Sequence, residues 1–166
     1  MLSDEFLVEP EVKSRATSKR KAMSLLRTAY QEIGFERDEH IIQRPQVRSG
    51  GYAGASDFIV ANGEAVQLAQ TWSFQVKDQA SLANDIKAWA WIIRHLRDSS
   101  DGATAETEER NVRVPSDIDV ELIYIPPENG DSSAYEEAHE AADEVEAKIV
   151  EVGSVSEVAE RARHLA

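Results

Sequence analysis

The chain has 166 residues, 31 acidic against 18 basic side chains, a formal net charge of -13 and no cysteine. That size suits one domain, and the missing thiols exclude disulfide frameworks, thiolate catalysis and Cys-based zinc sites. His40, His95, His139 and His164 are too scattered to suggest a metal cluster, and no apolar run approaches the roughly 20 residues of a membrane span.

Without a signal-peptide core in the first 30 residues, the expected setting is cytoplasmic, with no membrane partner. The acidity is regional. Residues 1–97 balance at +1, residues 98–160 at -16 and the last six at +2. A low global pI argues against nucleic acid because cationic side chains supply most phosphate affinity, but that argument loses force over the first two thirds of the chain.

Residues 1–13 show no sustained period, and Lys13, Arg15, Lys19, Arg20 and Lys21 follow as a basic cluster. Cations at a helix start oppose the dipole's positive end, which favours an anionic partner for the cluster. Met23, Leu26, Tyr30 and Ile33 recur at steps of three and four, so the spacing predicts an amphipathic helix over Thr17–Ile33, closed by Gly34. Glu32 on that helix reads as a solvated side chain.

A short strand is expected at His40–Gln43, ending near Pro45, and Arg48–Gly54 reads as a flexible glycine loop with an arginine and an aromatic. Asp57–Val60 and Ala65–Phe74 flank Asn62-Gly63, a dipeptide that accepts positive φ and so predicts a β-hairpin.

Leu82, Ile86, Trp89, Ile93 and Leu96 predict a second helix over Gln79–Arg97, with Trp89 in its buried stripe and Trp91 pointing elsewhere. The polar stretch 99–113 reads as a mobile surface loop. Alternation through Ile118, Val120 and Leu122 predicts a strand over Ile118–Ile125, stopped by Pro126-Pro127. Ser133 and Glu136 form a capping-box pattern for a third helix whose stripe runs through Tyr135, Ala138, Ala142, Val145 and Ile149 to Gly153. A last helix is expected over Val155–Leu165, giving a single domain 1–166 with no internal repeat.

A long helix between the hairpin and the next strand is a crossover, which joins parallel strands. The expected fold class is therefore an α/β αβββαβ sandwich, a small mixed sheet flanked by helices, with extra C-terminal helices. That order resembles the core of the PD-(D/E)XK nuclease superfamily, a restriction-endonuclease-like fold. In that superfamily the second strand supplies an aspartate, and the third supplies an acidic or glutamine residue followed two positions later by a lysine.

Carried onto this chain, the resemblance makes Asp57 the metal-binding aspartate and Gln67 the acidic-or-glutamine position. The lysine position then falls on Ala69, whose methyl group cannot orient water or offset phosphate charge. Lys87, or less readily Lys77, would have to replace it. Gln67, Ala69 and Thr71 share one strand face, directed either to a crevice or to the core.

The reading is a non-catalytic nuclease-like domain that binds nucleic acid or a protein partner, in bacterial defence or regulation, with no cofactor. Lys19, Lys21, Arg44 and Arg48 are its candidate anion-binding rim. One alternative is a Mg2+-dependent nuclease using Asp57, Gln67 and Lys87. Another is an acidic interaction module in which Glu137, Glu140 and Glu144 meet a basic protein.

Overall fold

The computed structural model describes residues 10–128 and 132–166, with side chains from Lys19 onward. Its elements are α1 (Pro10–Glu32), β1 (Ile41–Gln43), β2 (Gln46–Ser49), β3 (Tyr52–Ala55), β4 (Phe58–Asn62), β5 (Glu64–Ser73) and α2 (Gln79–Asp98). They continue with β6 (Ala103–Glu106), β7 (Asn111–Val114), β8 (Asp119–Ile125), α3 (Ser133–Glu144), β9 (Lys148–Glu151), a 3-10 turn (Val152–Ser154) and α4 (Val155–Leu165).

Five strands form the main sheet in the order β1-β4-β5-β8-β9, and a second sheet runs β3-β2-β6-β7. The hairpin β4–β5 is antiparallel around Gly63 at φ +84°, whereas β8 lies parallel to β5 after the α2 crossover, with Leu68 opposite Val120. The fold is thus mixed α/β with four helices among the described residues.

Two apolar clusters sandwich the main sheet. Leu26, Tyr30, Phe58, Val60, Ala69, Ile123, Val158 and Ala162 pack α1 and α4 on one face. Ile59, Leu68, Trp72, Ile86, Trp89, Leu122 and Ala138 pack α2 and α3 on the other, joined by Val47, Ala105 and Val112 of the second sheet. Consecutive β5 residues therefore serve different layers, as the period of two requires.

Four expectations change. The segment 1–13 is not irregular throughout: α1 starts at Pro10, where a missing N–H costs nothing in the first helical turn, while residues 1–9 lie outside the described residues. The glycine loop 48–54 is the β2–β3 hairpin, turned by Gly50 at φ +60° and Gly51, with Ser49 opposite Tyr52.

The stretch 99–113 is no mobile loop but carries β6 and β7. Their inward positions are Ala103, Ala105, Val112 and Val114, and Thr107 Oγ1 accepts from the Glu109 and Arg110 amides to make the turn. The third helix begins one residue earlier in capping terms, since Ser132 Oγ accepts the Tyr135 amide, and it ends at Glu144. Glu146 adopts φ +57°, Ala147 N donates to Ala142 O at 2.8 Å, and Ile149 belongs to β9.

Gly102 sets the entry to β6. Its φ is +72°, and a Cβ there would lie 2.3 Å from Val114 O. Gly102→Ala should therefore lower stability by about 2–4 kcal/mol, combining a left-handed penalty with a backbone clash. Gly50→Ala, at φ +60° with open space around it, should cost only about 1–2 kcal/mol. Urea unfolding of the two variants measures that difference.

Candidate functional site

Asp57 stands where β4 begins, nearly buried. Its Oδ2 accepts three hydrogen bonds, from Lys19 Nζ at 3.1 Å, Thr71 N at 2.8 Å and Thr71 Oγ1 at 2.8 Å. Lys19 Nζ also donates to Thr71 O at 2.7 Å, so one ammonium ties α1 to both strands of the hairpin. Asp57 N donates to Gln70 Oε1 at 3.1 Å, and Asp57 O accepts from Arg44 N at 2.9 Å.

Lys19, Ser56 and Gln70 open into a cleft of about 670 Å³ between β3, β5 and α2. Its walls include Leu68, Trp72, Trp89 and Ile93, with Asp85 on the α2 side. Trp72 and Trp89 meet edge to face, with centroids 5.3 Å apart. At the mouth, Tyr52 and Trp91 are 43% and 51% exposed. His95 stacks on Tyr52 at 3.7 Å and meets Trp91 edge-on at 4.9 Å.

The close approach of β3 to α2 depends on Gly54. A Cβ there would sit 3.0 Å from Ile92 Cγ1.

Gln67 lies elsewhere. Phe58 pairs with Ala69, which brings Asp57 against Gln70 rather than Gln67. Gln67 is fully buried, accepting from Tyr30 Oη and donating to Asp119 Oδ2 and to Val158 O, both at 2.9 Å. Ala69 is equally buried, under α1 and α4. Counting from Gln70, the position two further on is Trp72, again not a lysine.

Lys87 pairs with Glu137 of α3 at 3.3 Å, and Lys77 lies in the β5–α2 connection. The amine at Asp57 is Lys19, read from sequence only as an anion binder. A signal was present: the stripe Met23, Leu26, Tyr30 extended back by four residues lands on Lys19.

The four rim cations do not converge. Lys19 is in the cleft and Lys21 is exposed on α1. Arg44 lines a separate groove with Arg37, Arg110 and Glu106, and Arg48 Nε pairs with Glu106 at 3.4 Å. Glu32 is exposed about 20 Å along α1 from Lys19 at helical rise, so it cannot join Asp57.

A Mg2+ ion, which the nuclease resemblance implies, does not fit this donor set. Asp57 Oδ2 faces the Lys19 ammonium where a divalent cation would sit, and no group of three or more His, Cys, Asp or Glu that could hold a metal ion occurs among the described residues.

A second polar cluster lies under α4. Arg161 grips Glu121 in bidentate fashion at 2.7 and 2.8 Å, and Lys148 Nζ pairs with Asp119 Oδ1. Burial pushes Glu121 up to about 7, reinforced by Asp119, against the downward pull of Arg161. Burial also raises Tyr30 well above its ordinary value, with Glu121 and Asp119 adding to the rise. For Asp119 burial acts upward, but hydrogen bonds with Glu121, Lys148 and Gln67 and the Lys148 charge bring the net shift below the ordinary value.

No protein-family model matches the chain, and no curated protein matches it in sequence. Among the described residues, no helix is long and apolar enough to cross a membrane.

The Glu121 shift fixes a pH window. The folded protein holds this proton up to about 7, whereas the unfolded chain releases it near 4.5. The contribution is therefore complete below that lower value and is lost as pH rises toward the upper one, by up to about 3 kcal/mol. Asp119 has the opposite sign, its contribution vanishing only on acidification through its own lowered value. Urea unfolding at a series of pH values should show the neutral-side decline in the native chain and its loss in Glu121→Gln.

Proposed function

We propose that the chain is a non-catalytic, nuclease-like domain that binds nucleic acid through the cleft between β3, β5 and α2. The observation that carries this reading is the internal neutralisation of Asp57. Its Oδ2 is held by Lys19 and by both donors of Thr71, so the carboxylate that resembles a metal ligand is committed to the protein itself. The element order helix, hairpin, crossover helix and parallel strand supports the nuclease-like part of the reading. The Asp57 carboxylate organises the hairpin, and Lys19, paired with it, presents an ammonium at the cleft wall.

The binding part rests on chemistry. Exposed aromatic rings beside a lysine form a surface on which unpaired bases stack while the ammonium meets phosphate. Single strands are the better fit, since only they offer free base faces.

A protein-partner reading has its own support in α3, whose Glu136, Glu140, Asp143 and Glu144 are exposed and carry a like charge. These carboxylates repel phosphate, so the two readings separate experimentally.

Titration of labelled single-stranded DNA and RNA at roughly 50 mM salt tests the proposal, because electrostatic attraction is still strong there. Binding should weaken with salt at a log-log slope near -0.7 for each phosphate contacted. Lys19→Met should weaken it about fivefold or more, as loss of a charged hydrogen bond implies. Incubation with Mg2+ or Mn2+ should leave the strands intact. Metal-dependent cleavage abolished by Asp57→Asn would establish the nuclease alternative. Absence of binding, with capture of a basic protein that depends on Glu137, Glu140 and Glu144, would establish the interaction module.

A further inference from the structure

We infer that the cleft is a pocket for one purine or pyrimidine base, with the sugar-phosphate directed toward Lys19. This deepens the reading above and rests on it for the source of the base, which is either a single strand or a free nucleotide.

The volume of about 670 Å³ falls within the range of pockets that enclose small molecules, roughly 300–1,000 Å³. Its wall chemistry selects a flat, polar-edged occupant. Trp72 and Trp89 supply aromatic surface, while Ser56, Gln70 and Asp85 bring a hydroxyl, an amide and a carboxylate to the same space. A hydrocarbon chain would strip water from those groups without replacing their hydrogen bonds. A base offers π faces to the rings and donors and acceptors around its edge.

Trp89 contributes a second, independent indication. Its buried Nε1 has no hydrogen-bond partner among the described residues, and an unmet buried donor is unfavourable. Trp89 lines the cleft, so a small shift of its ring on binding would bring that N–H to a ring nitrogen or carbonyl of the base.

Lys19 completes the assignment. Its ammonium has three N–H groups, and Asp57 Oδ2 and Thr71 O account for two. The third is available to a phosphate oxygen, at a point held in place by its two protein partners. Tyr52 and Trp91 at the mouth then offer stacking surface to a neighbouring base, as one strand running out of the pocket would require.

Every tryptophan of the chain, Trp72, Trp89 and Trp91, lines this cleft, so selectively excited tryptophan emission reports on it. The experiment titrates the whole chain with nucleoside monophosphates and, separately, with short single-stranded oligonucleotides, following emission in both arms and anisotropy of labelled oligonucleotides in the second. Saturable quenching by both is expected. Trp91→Ala, at an exposed position that leaves the core intact, should weaken oligonucleotide binding about fivefold or more, the loss expected for one stacked base. Trp89→Phe keeps an aromatic ring but removes the N–H and should weaken both ligands about three- to tenfold. Circular dichroism checks that each variant is folded.

The arms separate the two conclusions. Salt-dependent oligonucleotide binding with unchanged emission and no effect of either tryptophan variant would overturn the base pocket and the cleft as the binding route, while leaving nucleic-acid binding itself intact. Quenching by monophosphates without oligonucleotide binding would support the pocket with a free nucleotide as its source and overturn the nucleic-acid reading. Silence in both arms would overturn both.

Discussion

The central strand β5 is hydrogen-bonded along both edges and packed on both faces, so each buried polar side chain it carries needs a partner inside the protein. Gln67, Gln70, Thr71 and Ser73 are all buried. This constraint organises the rest of the architecture. Gln67 reaches Tyr30, Asp119 and the α4 backbone, and thereby fixes α1 and α4 to one sheet face. Thr71 and Gln70 both converge on Asp57, which pins the start of β4 and draws Lys19 inward from α1. The clasp at Asp57 is thus the answer to a folding problem before it is a feature of any site.

Much of the architecture was legible because the signals were large side chains in strict period. Leu82, Ile86, Trp89, Ile93 and Leu96 are the buried face of α2, and the Asn62-Gly63 turn does join the paired strands β4 and β5. The second sheet was hidden by small residues. Alanines at 103 and 105 bury well but barely raise the local hydrophobicity, so the alternation of β6 disappeared within an acidic context. The end of α3 was missed because Val145 and Ile149 continue its helical phase, although the left-handed turn at Glu146 sends Ile149 into a strand.

The cluster around Asp57 was legible in one member only. Asp57 could be singled out by its place at the hairpin entrance. Its partner across the hairpin could not, because moving from Gln67 to Gln70 crosses to the other sheet face and depends on a register that includes an irregularity between Val60 and Ala61. Lys19 comes from a helix far away in sequence, which a local strand motif cannot reveal. An ammonium fixed to a carboxylate by the chain also differs physically from a bound metal: it travels with the fold, and cannot be removed by a chelator.

Gly54 gives the cleft a mechanical property. With no side chain there, β3 rests almost directly on Ile92, so the spacing between the edge strand and α2 is set by one absent methyl group. The β2–β3 hairpin that carries Tyr52 therefore forms one jaw of the cleft, and the helix bearing Trp91 and His95 forms the other. An alanine at 54 would act as a shim of a few tenths of an ångström, changing the gauge of the opening while every residue that could touch a ligand stays the same. Aperture and chemistry are thus encoded at different positions, and related chains could alter which occupants enter without altering how they are held.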